Sequence, residues 1–131
     1  MNDLQPRSAA ERDHAIKIAS EGKFLDGVFL VERYNHRPVD TTPESSPSSG
    51  AIVLSDIYPN KTLQEINEAI AKVRHLNQDA GAYVSAAFDK RPDCEALERK
   101  LLEDNPGFSQ VTYDLVINDA FVTQSTQLAH R

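Results

Sequence analysis

The sequence predicts a mainly α fold: a compact bundle of four to six short helices with a long polar loop, and one short strand or hairpin as an open point. Three observations carry this expectation. Ser8-Ala9-Ala10-Glu11 and Thr62-Leu63-Gln64-Glu65 each set a hydroxyl three residues ahead of a Glu, the capping box that satisfies two exposed amides at a helix start. Leu63, Ile66, Ile70 and Val73 repeat at three and four, the strongest helical stripe in the chain. Gly22, Gly81 and Asn105-Pro106-Gly107 punctuate the pattern where helices should stop.

The elements follow in order. The first helix should run from the Ser8 box to about Glu21, with Ala15, Ile18 and Ala19 on one face and Gly22 as its stop. The segment from Lys23 to Tyr34 reads two ways. Asp26-Gly27 between apolar triplets is a hairpin signal, but Ala15, Ile18, Gly22, Leu25 and Phe29 continue a helical spacing, and a second helix is the preferred reading. Residues 38–50, rich in Pro and Ser and almost without apolar content, form an exposed loop. "AIVLSDIYP" after it is a short strand or a buried extended segment.

The helix behind Thr62 should end near Gln78, before Gly81, with Glu68 and Lys72 as an i,i+4 pair, and "AYVSAAF" should form a further helical segment. Pro92 suits the start of the next helix, which turns Cys94, Leu97, Leu101 and Leu102 inward. Ser109 then caps a last helix to about Thr123, and residues 124–131 should fray. The whole, 1–131, is expected to be a single helical domain.

Composition narrows the function classes. The single Cys94 allows no internal disulfide and no multi-cysteine zinc site. The first residues contain no apolar core of a signal peptide, and no run of about 18 apolar residues is present. A reducing, cytoplasmic setting without membrane contact is therefore expected. Net charge is -6, and the excess is local: residues 93 to 122 hold seven acids and two bases. Nucleic acid is not expected as a partner, because phosphate binding needs clustered Lys and Arg.

The last helix poses the functional question. At 100° per residue, Tyr113, Val116, Ile117, Ala120 and Phe121 make one broad apolar stripe. Val111, Leu115 and Val122 make a second, narrow one. Asp114 and Asn118 lie in one gap between them, and Thr112, Asp119 and Thr123 in the other. One stripe docks a helix on its core; a second means that the helix is enclosed or that it meets another chain. The helix-turn-helix outline around Pro106-Gly107 does not read DNA, since no Lys or Arg lies between Lys100 and Arg131.

The expected function is a non-enzymatic, acidic protein-binding or regulatory module that uses Val111, Asp114, Leu115, Asn118, Asp119 and Val122, with self-association through the same face as the nearest variant. The alternative is a small-molecule-binding protein or enzyme built on Arg33, Tyr34, His36 and Arg37, where aromatic and basic residues interleave. His75 and Asp79, four apart, make two metal ligands at most, and Cys94 reads as a small core residue, so no metal or cofactor is expected.

Overall fold

Thr62 and Glu65 form the expected reciprocal cap. The Glu65 amide donates to Thr62 Oγ1, and the Thr62 amide and hydroxyl both donate to Glu65 Oε1, each at 3.1 Å. The backbone hydrogen bond from Thr62 is the main reason that the Glu65 carboxyl sits below its ordinary pKa. The other box rests on Ser8, outside the described residues. The computed structural model describes residues 9–36 and 51–129, with side chains to 125. The expected loop at 38–50 therefore lies wholly outside them.

Six helices are described: α1 (Ala9–Glu21), α2 (Phe24–Asn35), α3 (Leu54–Ile57), α4 (Leu63–Phe88), α5 (Cys94–Glu103) and α6 (Gln110–Ala129). There is no strand among the described residues. The chain is mainly α, as the sequence predicts. Its contacts group into two units, residues 2–70 and 71–131, which are taken in turn.

In the first unit Lys23 to Tyr34 is helical, not a hairpin. Lys23 is extended and separates α1 from α2, while the Gly22 amide still bonds the Ile18 carbonyl at 2.8 Å. A Cβ on Gly22 would stand 2.9 Å from that carbonyl, so the stop needs the missing side chain. Gly27 is buried within α2 and acts through its lack of a side chain. A Cβ there would meet Ala19 Cα at 2.9 Å, so α1 and α2 cross closely at this pair. The Tyr58 hydroxyl occupies the remaining space and donates to the Ala19 carbonyl at 2.8 Å. Phe24 meets the Tyr58 ring edge-on at 4.8 Å. Ala15, Ala19, Val31, Tyr34 and Ile52 form the buried cluster, flanked by Ile16, Leu54, Ile57 and Tyr58.

"AIVLSDIYP" is an extended stretch followed by the single turn of α3. Ile52 is buried without a β partner, and Asn35 supplies one. Its amide oxygen accepts from the Ile52 N–H and its NH2 donates to the Ile52 carbonyl, both at 2.9 Å. A side chain thus stands in for a neighbouring strand.

α4 does not end near Gln78. It continues through Gly81 to Phe88, over 26 residues. Its buried line, Ile66, Ala69, Val73, Leu76, Ala80 and Val84, keeps three-four spacing across the glycine. Glu68 takes a hydrogen bond from Gln64 at 3.1 Å, and the pair with Lys72 is not formed. The true stop is Lys90, at φ 52: the Arg91 amide bonds the Ala86 carbonyl at 2.9 Å and the Lys90 amide bonds that of Ala87 at 3.3 Å. This is the Schellman arrangement, with a lysine where glycine is usual.

Asp93 precedes α5 but gives its carboxylate to Arg91 in a two-pronged pair at 3.1 and 2.7 Å, not to the helix amides. Within α5, Leu101 is fully buried, Leu97 and Cys94 are half-buried, and Leu102 is exposed. Tyr83 of α4 is hydrogen-bonded to Glu98, and that acceptor pushes its phenol up to about 12. Asn105-Pro106-Gly107 makes the expected turn, with Gly107 at φ 97.

Candidate functional site

The start of α6 is fixed by three anchors. Phe108 is buried and meets the Tyr113 ring at 6.1 Å. The Tyr113 hydroxyl donates to the Asn105 carbonyl. The Thr112 and Tyr113 amides bond the Ser109 carbonyl at 3.0 and 3.2 Å, so the helix begins where Ser109 was expected to cap it. It then runs to Ala129, beyond the expected end near Thr123.

The inward line of α6 is Thr112 and Val116, continuing from Phe108, rather than the centre of the broad apolar stripe. Thr112 is buried although the helical wheel sets it in a polar gap. Its short side chain hides readily once its hydroxyl has a partner, and Ser109 Oγ lies 3.4 Å away. Tyr113, Ile117 and Ala120 are half-buried beside this line. Phe121 stays partly exposed and rests its ring on Phe88, with centroids 5.5 Å apart.

The narrow stripe lies beside this inward line, about 60–140° round the helix from Thr112 and Val116. Val111 is 67% exposed and Val122 37%, with Leu115 half-buried between them. Asp114 and Asn118 are exposed on the same arc, which covers about 100° of the helix. Gln110 donates to Asp114 Oδ1 at 2.9 Å, holding that carboxylate on the outer face. Asp119 is half-buried at the flank. The helix is thus not enclosed on that face by the described chain. α6 carries no Lys or Arg.

The Arg33, Tyr34, His36 and Arg37 group is divided. Arg33 and Tyr34 line a cavity of about 250 Å³ with Glu11 and His14. His36 is not among the lining residues: its Nδ1 meets the Glu32 carbonyl oxygen at 2.7 Å at the end of α2. Arg37 lies outside the described residues.

One cluster escaped the sequence reading. Asn105, 4% exposed, is the hub of a polar knot between α4 and the end of α5. Its NH2 donates to Asp79 Oδ2 and to the Leu101 carbonyl, both at 2.9 Å, and its Oδ1 meets His75 Nδ1 at 2.7 Å. His75 and Asp79 do come together, at 3.6 Å, but Asn105 holds them, and no group of three or more metal-ligating side chains occurs among the described residues. The signal present in the sequence was the Asn of Asn-Pro-Gly, which reads as turn chemistry alone.

No helix among the described residues is long and apolar enough to cross a membrane. No protein-family model, no curated protein and no solved structure matches the chain.

Proposed function

We propose that this chain is a non-enzymatic, acidic protein-binding or regulatory module whose contact surface is the outer face of α6. The observation that carries the proposal is Val111, 67% exposed one turn ahead of Leu115 and in line with Val122. Exposed apolar side chains aligned on one face, edged by polar groups, are the composition of an interface core and rim. Asp114 and Asp119 set the sign of the partner: a protein that presents apolar side chains among Lys and Arg.

A second copy of the chain is the less favoured occupant. Two-fold pairing would bring an acid-only helix face against itself. The reading places the protein in solution, in the reducing cytoplasm, with no nucleic-acid partner.

The test uses a helical peptide with leucines along one face and lysines opposite, and a twin with glutamates in their place. The lysine peptide should bind the wild type and lose affinity as salt rises. Val111→Asp and Val122→Asp should abolish binding, and Val111→Asp should leave the fold within about 0.5 kcal/mol, since that side chain is 67% exposed. Equal binding of both peptides, or binding untouched by the two variants, overturns the proposal. Light scattering across a dilution series decides against it in favour of self-association if a dimer forms and Val111→Asp dissolves it.

A second reading, a small-molecule or catalytic site at Arg33 and Tyr34, is supported by the cavity those residues share with Glu11 and His14. It would use the Glu11 carboxylate and the His14 imidazole in place of His36.

A further inference from the structure

A cavity of about 270 Å³ opens beside the Asn105 knot, lined by Ala71, Lys72 and His75 of α4 and by Asp104, Pro106 and Phe108 next to Asn105 itself. The knot dictates the chemistry of its imidazole. Asp79 Oδ2 and the Leu101 carbonyl only accept hydrogen bonds, so the Asn105 NH2 must face them. Asn105 Oδ1 therefore faces His75, and because that oxygen can only accept, His75 Nδ1 carries the hydrogen. In the neutral ring this leaves Nε2 as a bare acceptor without a hydrogen-bond partner among the described residues.

The other groups complete a small set of complementary charges. Lys72 lies one turn before His75 and forms no ion pair among the described residues, since Glu68 bonds Gln64 instead. Asp104 ends α5 with an exposed carboxylate. Ala71, Pro106 and Phe108 supply the apolar wall. We propose that this cavity binds a small zwitterion with an apolar body, of the class of free apolar α-amino acids. The carboxylate pairs with Lys72, the ammonium donates to Asp104 and to His75 Nε2, and the side chain lies against the Pro106 and Phe108 wall.

Size and charge select this class. A cavity of about 150 Å³ accommodates benzene, so about 270 Å³ admits a ring or branched chain with its amino and carboxyl groups. One lysine opposed by Asp104 and a lone pair disfavours a dianion such as phosphate.

The experiment titrates the full-length, 15N-labelled chain with L-phenylalanine and L-leucine, and separately with 3-phenylpropionate, phenethylamine and inorganic phosphate. Saturable amide shifts around His75, Asp104 and Phe108 are expected with the amino acids. The analogues lacking one charge should bind at least about threefold more weakly. Lys72→Met and Asp104→Asn, both at exposed side chains, should each weaken amino-acid binding while circular dichroism stays unchanged. The proposal is overturned by no saturable shift up to about 10 mM amino acid, by equal binding of the single-charge analogues, or by binding that both variants leave intact.

Discussion

The same substitution, glycine to alanine inside a helix, should act with opposite sign at Gly27 and Gly81. Alanine is favoured over glycine in a helix interior by about 1 kcal/mol. At Gly81 an added Cβ meets nothing within 4 Å, so Gly81→Ala should gain most of that amount. At Gly27 the new Cβ would sit 2.9 Å from Ala19 Cα, which belongs to backbone and cannot swing aside, and it would overlap the Tyr58 hydroxyl. Forcing α1 and α2 apart costs about 1–3 kcal/mol as overpacking. Displacing Tyr58 forfeits its hydrogen bond to the Ala19 carbonyl, about 1 kcal/mol, and its edge-on contact with Phe24, about 0.5–1.5 kcal/mol. Gly27→Ala should therefore destabilise by about 2–4 kcal/mol after its helix gain is counted. Urea unfolding followed by far-UV circular dichroism reads both variants against the wild type. Adding Tyr58→Phe to Gly27→Ala should recover only part of the loss, because the contact with Ala19 remains. A Gly27→Ala protein as stable as Gly81→Ala would refute the close crossing of α1 and α2.

Other expectations test the second unit. Lys90→Gly should raise stability by about 1 kcal/mol in the same unfolding assay, because φ 52 strains any residue with a Cβ. Asn105→Ala should cost about 3 kcal/mol, since Asp79 and the buried Leu101 carbonyl both lose their donor. Asn105→Asp should be worse near neutrality and recover towards acid pH, where the added carboxylate no longer repels Asp79. The Tyr83 phenol, raised to about 12 by its hydrogen bond to Glu98, favours the folded state below its unfolded value of 10.0. That contribution should fade as pH rises between the two values; spectrophotometric titration should show Tyr83 as a late tyrosine, and Glu98→Gln should bring it back towards its ordinary value.

Local chemistry made much of this fold legible. The Thr62-Glu65 box, the Gly22 stop and the Pro106-Gly107 turn each act within a few residues, so spacing alone exposes them. The α2 helix was legible because helical spacing persists through Asp26-Gly27, where turn chemistry taken alone suggests a hairpin. Gly81 carries the local signal of a helix stop, yet α4 runs through it. One helical glycine costs only about 1 kcal/mol, less than the burial of the line from Ile66 to Val84 can supply. The Asn35 clamp on Ile52 spans 17 residues, and the His75 contact with Asn105 spans 30. No periodicity carries such long-range pairs. On α6 the outer stripe was legible as a minority face, whereas burial of Thr112 was not, because a helical wheel weighs a threonine only by its polarity.

The most direct test of the central claim is a map of amide shifts in the 15N-labelled chain as the lysine-faced peptide is added. Saturable shifts concentrated at Val111, Asp114, Leu115, Asn118 and Val122 are expected, and they should be absent from Val111→Asp. Shifts that leave α6 silent, or that scatter over both units, would contradict it.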